Sequence, residues 1–384
     1  MENPAVETQA PMNPKSDAST DANADVVPTF DPNNFNPVPL PEGLPTYDLP
    51  KVSIAKLLSG DKEEAKTVFH ICSKTGFFYL NLMDHPLGRK LWENACKARN
   101  VGQHLMSTIP LEDKKAFLMR PEKGVLDRGF SSSSSANEGI ARAVESLNIP
   151  RDELFAKTTP GWELPAWLRP YEALFKEIQT DAHAVEQIIL GILEKELEVE
   201  PGTFARTHQL DAPTYSFLRI LRYPPILGGA DEMRERPRVF AHRDVVSIAM
   251  LFTWVGGLQI PKDDAVMLDS VTPTEDSWLW VRPEPGYMIV NLGDSMPVFT
   301  NGVLKSGLHR VVTAHENQAQ LDRVSVLFTG RPNWEVPMAP LVSPKIPATR
   351  ESSQTVESCK EWGDNVIKAY YLDNVQKGRI RISA

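Results

Sequence analysis

A histidine and an aspartate two residues apart form the strongest chemical pattern in the sequence. His242 and Asp244 lie in AHRDVVSIAML, directly before an apolar run that is typical of a β-strand. Because side chains two residues apart share one face of an extended chain, the imidazole and the carboxylate can bind adjacent positions of one metal ion. A third ligand would have to come from elsewhere in the sheet.

His309, in KSGLHRVV, is the candidate for the third ligand. Its distance from Asp244 along the chain suits a partner strand that returns beside the first in a Greek-key barrel. Two imidazoles and one carboxylate leave coordination positions open, an arrangement that suits a non-haem Fe(II) oxygenase. Structural zinc would need a closed set of ligands richer in cysteine, and none of the three cysteines is near these residues in the sequence.

Arg323 and Ser325 form a second pair with the same spacing of two. A guanidinium group and a hydroxyl at the floor of an apolar barrel can bind one carboxylate at two points, so we expect an acidic ligand there. Tyr223, in LRYPP, is a third candidate. Counting back by twos, Arg219 and Phe217 share its face and would point into the barrel with it.

The walls of a substrate pocket should come from strand residues and from a loop. Phe217 and Arg219 are the strand candidates, and Phe130 belongs to the candidate loop Phe130 to Asn137. The serine run Ser131 to Ser135 has no packing residues and predicts a loop. These residue types do not identify a substrate.

The elements that must position these residues change in character along the chain. From about Thr214, short β-rich runs separated by Gly, Pro and Asp predict an antiparallel sandwich, barrel or jelly roll. Before them, apolar periodicity predicts a buried strand and several helices, the longest between Pro170 and Leu197. One further helix is predicted over Thr355 to Val375. The predicted fold class is therefore mainly β with flanking α-helices.

This change of pattern divides the chain into five predicted segments. They are a disordered tail rich in Pro, Asn, Asp and Ala (1–44), an N-terminal mixed module (45–165), a long helix with a connector (166–204), a β-rich core (205–335) and a C-terminal extension with a helix (336–384). His183 lies off the apolar stripe of the long helix, so we expect it to be solvated.

Composition argues against several classes of protein and of binding partner. The net charge is −9, with no clustered basic stripe, which argues against a nucleic-acid partner. No run approaches the roughly 20 apolar residues of a membrane span, and the N-terminus has no basic region followed by an apolar run. Few, widely separated cysteines suit reduced thiols. We therefore expect a cytoplasmic, monomeric enzyme that acts on a small molecule, away from membranes.

Taken together, the motifs resemble the isopenicillin N synthase-like branch of Fe(II)/2-oxoglutarate-dependent dioxygenases. The resemblance covers most of residues 45 to 335 and includes TGFFYLN, IPLEDKKAF, RYPP, His-x-Asp with GGLQI, VNLGDSMPVFTNG, GLHRVV and Arg-x-Ser. It implies a double-stranded β-helix, or jelly roll, wrapped by N-terminal helices. It also implies that His242, Asp244 and His309 bind Fe(II), that Arg323 and Ser325 hold the distal carboxylate of 2-oxoglutarate, and that Tyr223 assists.

The activity that the resemblance implies is oxidation of a small organic metabolite with O2, giving succinate and CO2 as co-products. Hydroxylation, desaturation and ring rearrangement all stay open, and a role in specialised metabolism is expected. Val245, directly after the His-x-Asp motif, makes this segment similar to that of isopenicillin N synthase. In that enzyme Arg-x-Ser binds the substrate's own carboxylate. An oxidase that uses Fe(II) and O2 without 2-oxoglutarate is therefore one alternative, and a noncatalytic jelly-roll binding module is another.

Overall fold

The computed structural model of the chain describes residues 39–117, 128–132, 144–158, 162–225, 237–263, 273–348 and 355–376. Most of the predicted N-terminal tail, residues 1–38, and the last residues of the C-terminal extension, 377–384, lie outside the described residues. So does the part of the predicted pocket loop that follows Ser132.

Two β-sheets form the centre of the fold. The larger sheet has the strand order β1-β2-β10-β7-β12-β5-β4-β3, and its strands are β1 Lys51–Ser53, β2 Phe77–Asn81, β3 Gly129–Ser132, β4 Glu145–Pro150, β5 Phe217–Tyr223, β7 Ile248–Thr253, β10 Tyr287–Leu292 and β12 Arg323–Gly330. The smaller sheet has the order β6-β11-β8-β9, with β6 Val239–His242, β8 Leu258–Pro261, β9 Trp278–Trp280 and β11 His309–Val311. All pairings are antiparallel except that of β1 with β2.

Helices accompany the larger sheet. They are α1 Ile54–Ser59, α2 Lys62–Lys74, α3 Pro86–Thr108, α4 Leu111–Lys115, α5 Arg151–Phe155, α6 Glu172–Glu196, α7 Thr203–Thr207, α8 Ser295–Phe299 and α9 Cys359–Gln376. Short 3-10 segments occur at Arg169–Tyr171, Glu275–Ser277 and Glu316–Gln320. Among the described residues, no helix combines the length and the apolar content that crossing a membrane requires.

Local sequence signals explain where the main helices begin. The Asp61 carboxylate accepts hydrogen bonds from the backbone N–H groups of Glu63 and Glu64, which caps α2. Pro86 stands at the start of α3, where its missing N–H costs nothing. Buried residues of α6 recur at helical spacing, including Ile178, Val185 and Ile189, and α6 packs against α2 and α3.

The two faces of the larger sheet have different roles. On β5, Leu218 and Ile220 belong to the main hydrophobic core with the helices. Ile220 packs so closely on α3 that a Cβ at Gly102 would lie 2.3 Å from its Cγ2 atom. The alternate residues, including Arg219 and Tyr223, therefore face the smaller sheet. A second apolar cluster joins the two sheets and contains Leu49, Phe77, Tyr79, Leu258, Ile260, Val281 and Ile289.

The predicted mainly-β class with a double-stranded β-helix core is confirmed, with three local differences. Ser131 and Ser132 belong to β3, which pairs with β4, so the prediction of a loop was wrong for these two serines. His183 is not free in solvent, because its ring Nδ1 donates a 2.9 Å hydrogen bond to the buried Glu186 carboxylate. Strands of residues 45–165 also extend both edges of the larger sheet, since β2 pairs with β10 and β4 with β5.

Candidate active site

His242, Asp244 and His309 converge between the two sheets. One potential ligand atom from each residue lies within 4.8 Å of the others. Nε2 of His242 is 3.6 Å from one carboxylate oxygen of Asp244, and Nε2 of His309 is 3.8 Å from the other. The two histidines are direct partners in the antiparallel pairing of β6 and β11, as the Greek-key argument predicted.

Asp244 itself lies in the turn between β6 and β7 and not in a strand. Backbone hydrogen bonds from the segment after β10 hold this turn: Asp294 N–H donates to the Asp244 carbonyl at 2.8 Å, and Ser295 N–H donates to the Val246 carbonyl at 3.1 Å. A Cβ at Gly293 would lie 2.5 Å or less from the carbonyl oxygens of Asp244 and Val246. Glycine is therefore needed in the NLGDS segment for the turn to sit this close.

Hydrogen bonds orient each of the three side chains. Nδ1 of His242 is 2.8 Å from the Phe240 carbonyl, and Nδ1 of His309 is 3.3 Å from the Gly307 carbonyl, so Nε2 of each ring is left to face the cluster. The Asn291 amide donates to Asp244 at 2.8 Å. Such partners fix the tautomer and orientation of metal ligands.

Electrostatics favour the metal-binding protonation states of Asp244 and His309. Burial would raise the pKa of Asp244, but the imidazoles of His309 and His242 and the Asn291 amide hold it well below its usual range. Burial, with the nearby charge of His242, lowers the pKa of His309 to about 4. For His242 the pKa is raised, because Asp244 outweighs burial. An ionised carboxylate beside a neutral imidazole is a competent ligand set.

The donor set fits a ferrous ion with open positions. Among the described residues the cluster contains no cysteine and no fourth histidine or carboxylate. The three side chains remain 10 to 23% exposed, so small molecules can reach them. Two imidazoles, one carboxylate and vacant positions are the arrangement used by non-haem Fe(II) oxygenases, whereas structural zinc takes a closed set of four.

Arg323, Ser325 and Tyr223 come together deeper in the fold, and all three are buried. Nε of Arg323 donates to the Gly256 carbonyl at 2.9 Å, Nη1 donates to the Ser325 hydroxyl at 3.3 Å, and the guanidinium carbon lies 4.6 Å from the centre of the Tyr223 ring. No carboxylate of the described residues pairs with Arg323. Gly257 makes room, because a Cβ there would lie 3.0 Å from Nε of Arg323.

Two of the three predicted pocket residues face the same interior. Phe217 and Arg219 lie on β5 on the face of Tyr223, with the Arg219 guanidinium carbon 4.4 Å from the centre of the Phe217 ring. Phe130 does not join them. It pairs with Leu147, which faces the helices, and the Lys114 ammonium of α4 lies 5.2 Å from the centre of its ring. The interpretation of Phe130 as a pocket residue therefore has to be corrected, since it packs on the outer face.

Sequence reasoning missed the roles of Asn291 and Asn148. Asn291 supports Asp244, and Asn148, on β4, accepts a 2.7 Å hydrogen bond from Nε of Arg219. Both are almost fully buried polar residues within otherwise apolar strands. That contrast in YMIVNL and ESLNIP is the signal that could have found them, because a buried amide needs a partner.

Known proteins share this architecture and sequence. The profile of the 2OG-Fe(II) oxygenase superfamily matches residues 215–332. A 2-oxoglutarate-dependent dioxygenase of Aspergillus fumigatus is 33% identical over 353 residues, which is 89% of this chain and 91% of that protein. Clavatol oxidase of Penicillium crustosum is 25% identical over 78% of this chain and 90% of its own length.

The fold is also found in solved structures. A full-length protein of Neurospora crassa, in complex with alpha-KG, superposes with a TM-score of 0.63 at 20% identity, covering 85% of this chain and 97% of that one. These findings confirm the predicted family, and neither the 2-oxoglutarate-independent oxidase nor the noncatalytic module is favoured. The chain belongs to the 2OG-Fe(II) oxygenase superfamily and is an Fe(II)/2-oxoglutarate-dependent dioxygenase, an oxidoreductase that uses O2.

Proposed function

We propose that His242, Asp244 and His309 hold the iron and that Arg323, with Ser325 and Tyr223, holds the distal carboxylate of 2-oxoglutarate. The observation that carries this assignment is Arg323. It is a buried guanidinium that pairs with no described carboxylate, and it faces the same interior as a convergent set of metal-binding side chains. A buried cation of this kind is costly unless an anionic ligand completes the site.

The bound iron would supply the positions at which O2 and 2-oxoglutarate react, so that decarboxylation to succinate and CO2 is coupled to oxidation of the substrate. The residues of the chain contribute geometry. The histidines present Nε2 because their Nδ1 atoms contact backbone carbonyls. The Ser325 hydroxyl can accept from Arg323 and donate its own proton to the co-substrate carboxylate. Phe217, buried on the same face of β5 as Arg219, would provide an apolar wall.

Replacement of Arg323 tests the co-substrate site. In Arg323→Ala the distal carboxylate would be buried without its partner, at a cost of about 3 to 5 kcal/mol, or about 150- to 5,000-fold in 2-oxoglutarate affinity. Calorimetric titration of 2-oxoglutarate into the Fe(II)-loaded enzyme under nitrogen measures this. The exposed Arg206→Ala serves as control, and an unchanged affinity in Arg323→Ala would refute the assignment.

We further propose a small organic substrate, a place in specialised metabolism and a cytoplasmic monomer that binds neither nucleic acid nor membranes. The name of the Penicillium relative, clavatol oxidase, supports the first two points. Comparing metabolites with and without the active enzyme under isotopically labelled O2 tests them. The product should gain one oxygen atom or lose two hydrogen atoms, and size-exclusion chromatography with light scattering measures the oligomeric state.

A further inference from the structure

A second arginine, Arg219, faces the interior of the barrel close to the metal ligands. It lies on β5 on the inner face of the larger sheet, where it pairs with Leu327 on one side and Asn148 on the other. Its positive charge acts on His242, where it opposes the rise in pKa that Asp244 causes. The proposed function does not assign this guanidinium a role.

The hydrogen bonds of Arg219 use only part of its donor capacity. Nε donates to the Asn148 side chain at 2.7 Å, which holds the planar group against the Phe217 ring. Its two terminal nitrogens donate to no described residue. Neither belongs to the buried side-chain atoms that lack a hydrogen-bond partner, so both remain accessible from the interior of the barrel. The guanidinium group is thus held at Nε, while its two terminal nitrogens are open to a ligand. This geometry suits bidentate binding of a carboxylate.

No described carboxylate forms an ion pair with Arg219, in contrast to Arg222 and Arg310. Arg222, on the opposite face of the same strand, pairs with Glu145 and Asp322, and Arg310 pairs with Glu275. Burial, reinforced by the nearby charge of Arg331, lowers the pKa of Arg219 to about 10, so it remains a cation at neutral pH. Asp244 is the acidic group that partly offsets this charge, and a bound metal would claim that carboxylate.

The co-substrate cannot occupy both arginine sites. Arg219 and Tyr223 are four residues apart on β5, and Tyr223 pairs directly with Arg323. The Cα atoms of the two arginines are therefore about 13 Å apart along the strand direction. The distal carboxylate of 2-oxoglutarate can bind only one of them. On the proposed function that one is Arg323, which leaves Arg219 for a different anion.

We infer that Arg219 binds a carboxylate of the substrate and that the substrate is an organic acid, oxidised at a carbon held over the metal while its acid group is anchored on β5. Phe217 would contact the apolar part next to the acid group. The inference rests on the proposed function, because it assumes that Arg323 holds 2-oxoglutarate.

The experiment uses the full chain loaded with Fe(II) and 2-oxoglutarate under nitrogen, so that binding occurs without turnover. The probes are arylacetic, arylpropionic and medium-chain aliphatic acids, each compared with its primary amide, and affinity is measured by calorimetry. The best acid should bind at least about 30-fold more tightly than its amide. Arg219→Gln should abolish this preference, and Arg219→Lys should keep part of it because the charge remains without the fork.

Two controls separate this inference from the proposed function. Arg222→Gln removes an arginine from the outer face of the same strand and should leave the acid preference intact. The affinity for 2-oxoglutarate is measured in every variant and should stay the same in Arg219→Gln. Failure of the unaltered enzyme to bind 2-oxoglutarate would contradict the proposed function itself.

The inference alone is overturned by any of three results in an enzyme that binds 2-oxoglutarate normally. The first is the absence of acid preference, whether acids and amides bind alike or neither binds. The second is an acid preference that survives in Arg219→Gln. The third is loss of 2-oxoglutarate affinity in Arg219→Gln, which would assign this arginine to the co-substrate.

Discussion

Asn291 shows how one uncharged side chain can orient a proposed metal ligand. Its amide donates a 2.8 Å hydrogen bond to Asp244, the same carboxylate oxygen that lies nearest to His309. Because Asn291 is almost fully buried, no solvent molecule competes for this contact. The carboxylate is therefore held in one orientation while its remaining lone pairs face the two imidazoles.

Replacement of Asn291 should weaken iron binding without removing a ligand. We expect Asn291→Ala to bind Fe(II) about 10- to 100-fold more weakly, the usual effect of losing a partner that orients a ligand. Anaerobic titration against a competing chelator measures the affinity. Asn365→Ala, at an exposed position in α9, should bind iron normally, and equal affinities in all three proteins would show that Asp244 needs no such support.

At the scale of single residues, the sequence predicts the proposed metal ligands better than it predicts the residues that orient them. His242, Asp244 and His309 are recognisable because each residue type has an intrinsic affinity for metals, and all three do converge. The contact of Asn291 depends on the packing of β10 beside β7, which no local pattern encodes. The orientation of Phe130 was missed for the same reason, since it follows from the pairing of β3 with β4.

The turn that carries Asp244 depends on close contact with the chain after β10. Gly293 permits that contact, because a side chain there would strike two backbone carbonyl oxygens. Backbone atoms cannot move aside as the end of a flexible side chain can. The position of Asp244, a proposed metal ligand, is thus coupled to a glycine in another segment.

A methyl group at Gly293 should therefore displace the turn. We expect Gly293→Ala to lose most of its iron affinity and to unfold at a lower temperature, as overpacking costs about 1 to 3 kcal/mol. Thermal unfolding with and without Fe(II) under nitrogen measures both effects. Gly191→Ala is the matched control, because nothing lies within 4 Å of a Cβ there, and in α6 it should stabilise by up to about 1 kcal/mol. Iron binding by Gly293→Ala as tight as in the unaltered chain would contradict this account.

At the level of elements, short β-rich runs predicted the β-rich core, and apolar periodicity predicted the long helix α6. The distance along the chain between Asp244 and His309 predicted the return of the His309 strand beside that of His242, and the structure has all three. It did not predict that Asp244 lies in a turn, because a spacing of two looks the same in a strand and in a short extended turn. The proposed segment boundaries remain predictions. Sheet pairing crosses the boundary between the N-terminal module and the core.

A buried polar network, made of two hydrogen-bonded groups that interact electrostatically, lies between the helices and the turn that carries Asp244. Arg151 of α5 and His183 of α6 both bond to the Glu186 carboxylate at 2.9 Å. His208, just after α7, bonds to the Ser247 hydroxyl at 2.8 Å, and Ser247 ends the turn that carries Asp244. Glu186, His208 and Ser247 are almost completely buried, so the network is tightly constrained.

The titration of His208 should make the stability of the whole molecule depend on pH. Burial lowers its pKa from 6.5 to about 4, and the charge of Arg151 adds to this effect, although Glu186 opposes it. As pH falls, the unfolded chain therefore binds the proton first. The stabilisation is fully present above pH 6.5 and is lost as the pH falls toward 4. The size of the shift corresponds to about 3 kcal/mol.

Comparison with His208→Gln isolates this contribution. The glutamine amide can reach the position of Nε2, which bonds to Ser247, but it does not titrate. Between pH 7 and pH 4 the free energy of unfolding should therefore fall by about 3 kcal/mol less in the variant than in the unaltered chain. Urea unfolding of the metal-free proteins at intervals across this range measures the difference, because other titrating groups contribute equally to both profiles. Parallel profiles would mean that His208 titrates normally in the folded state, and the network would then not hold a neutral imidazole against the turn that positions Asp244.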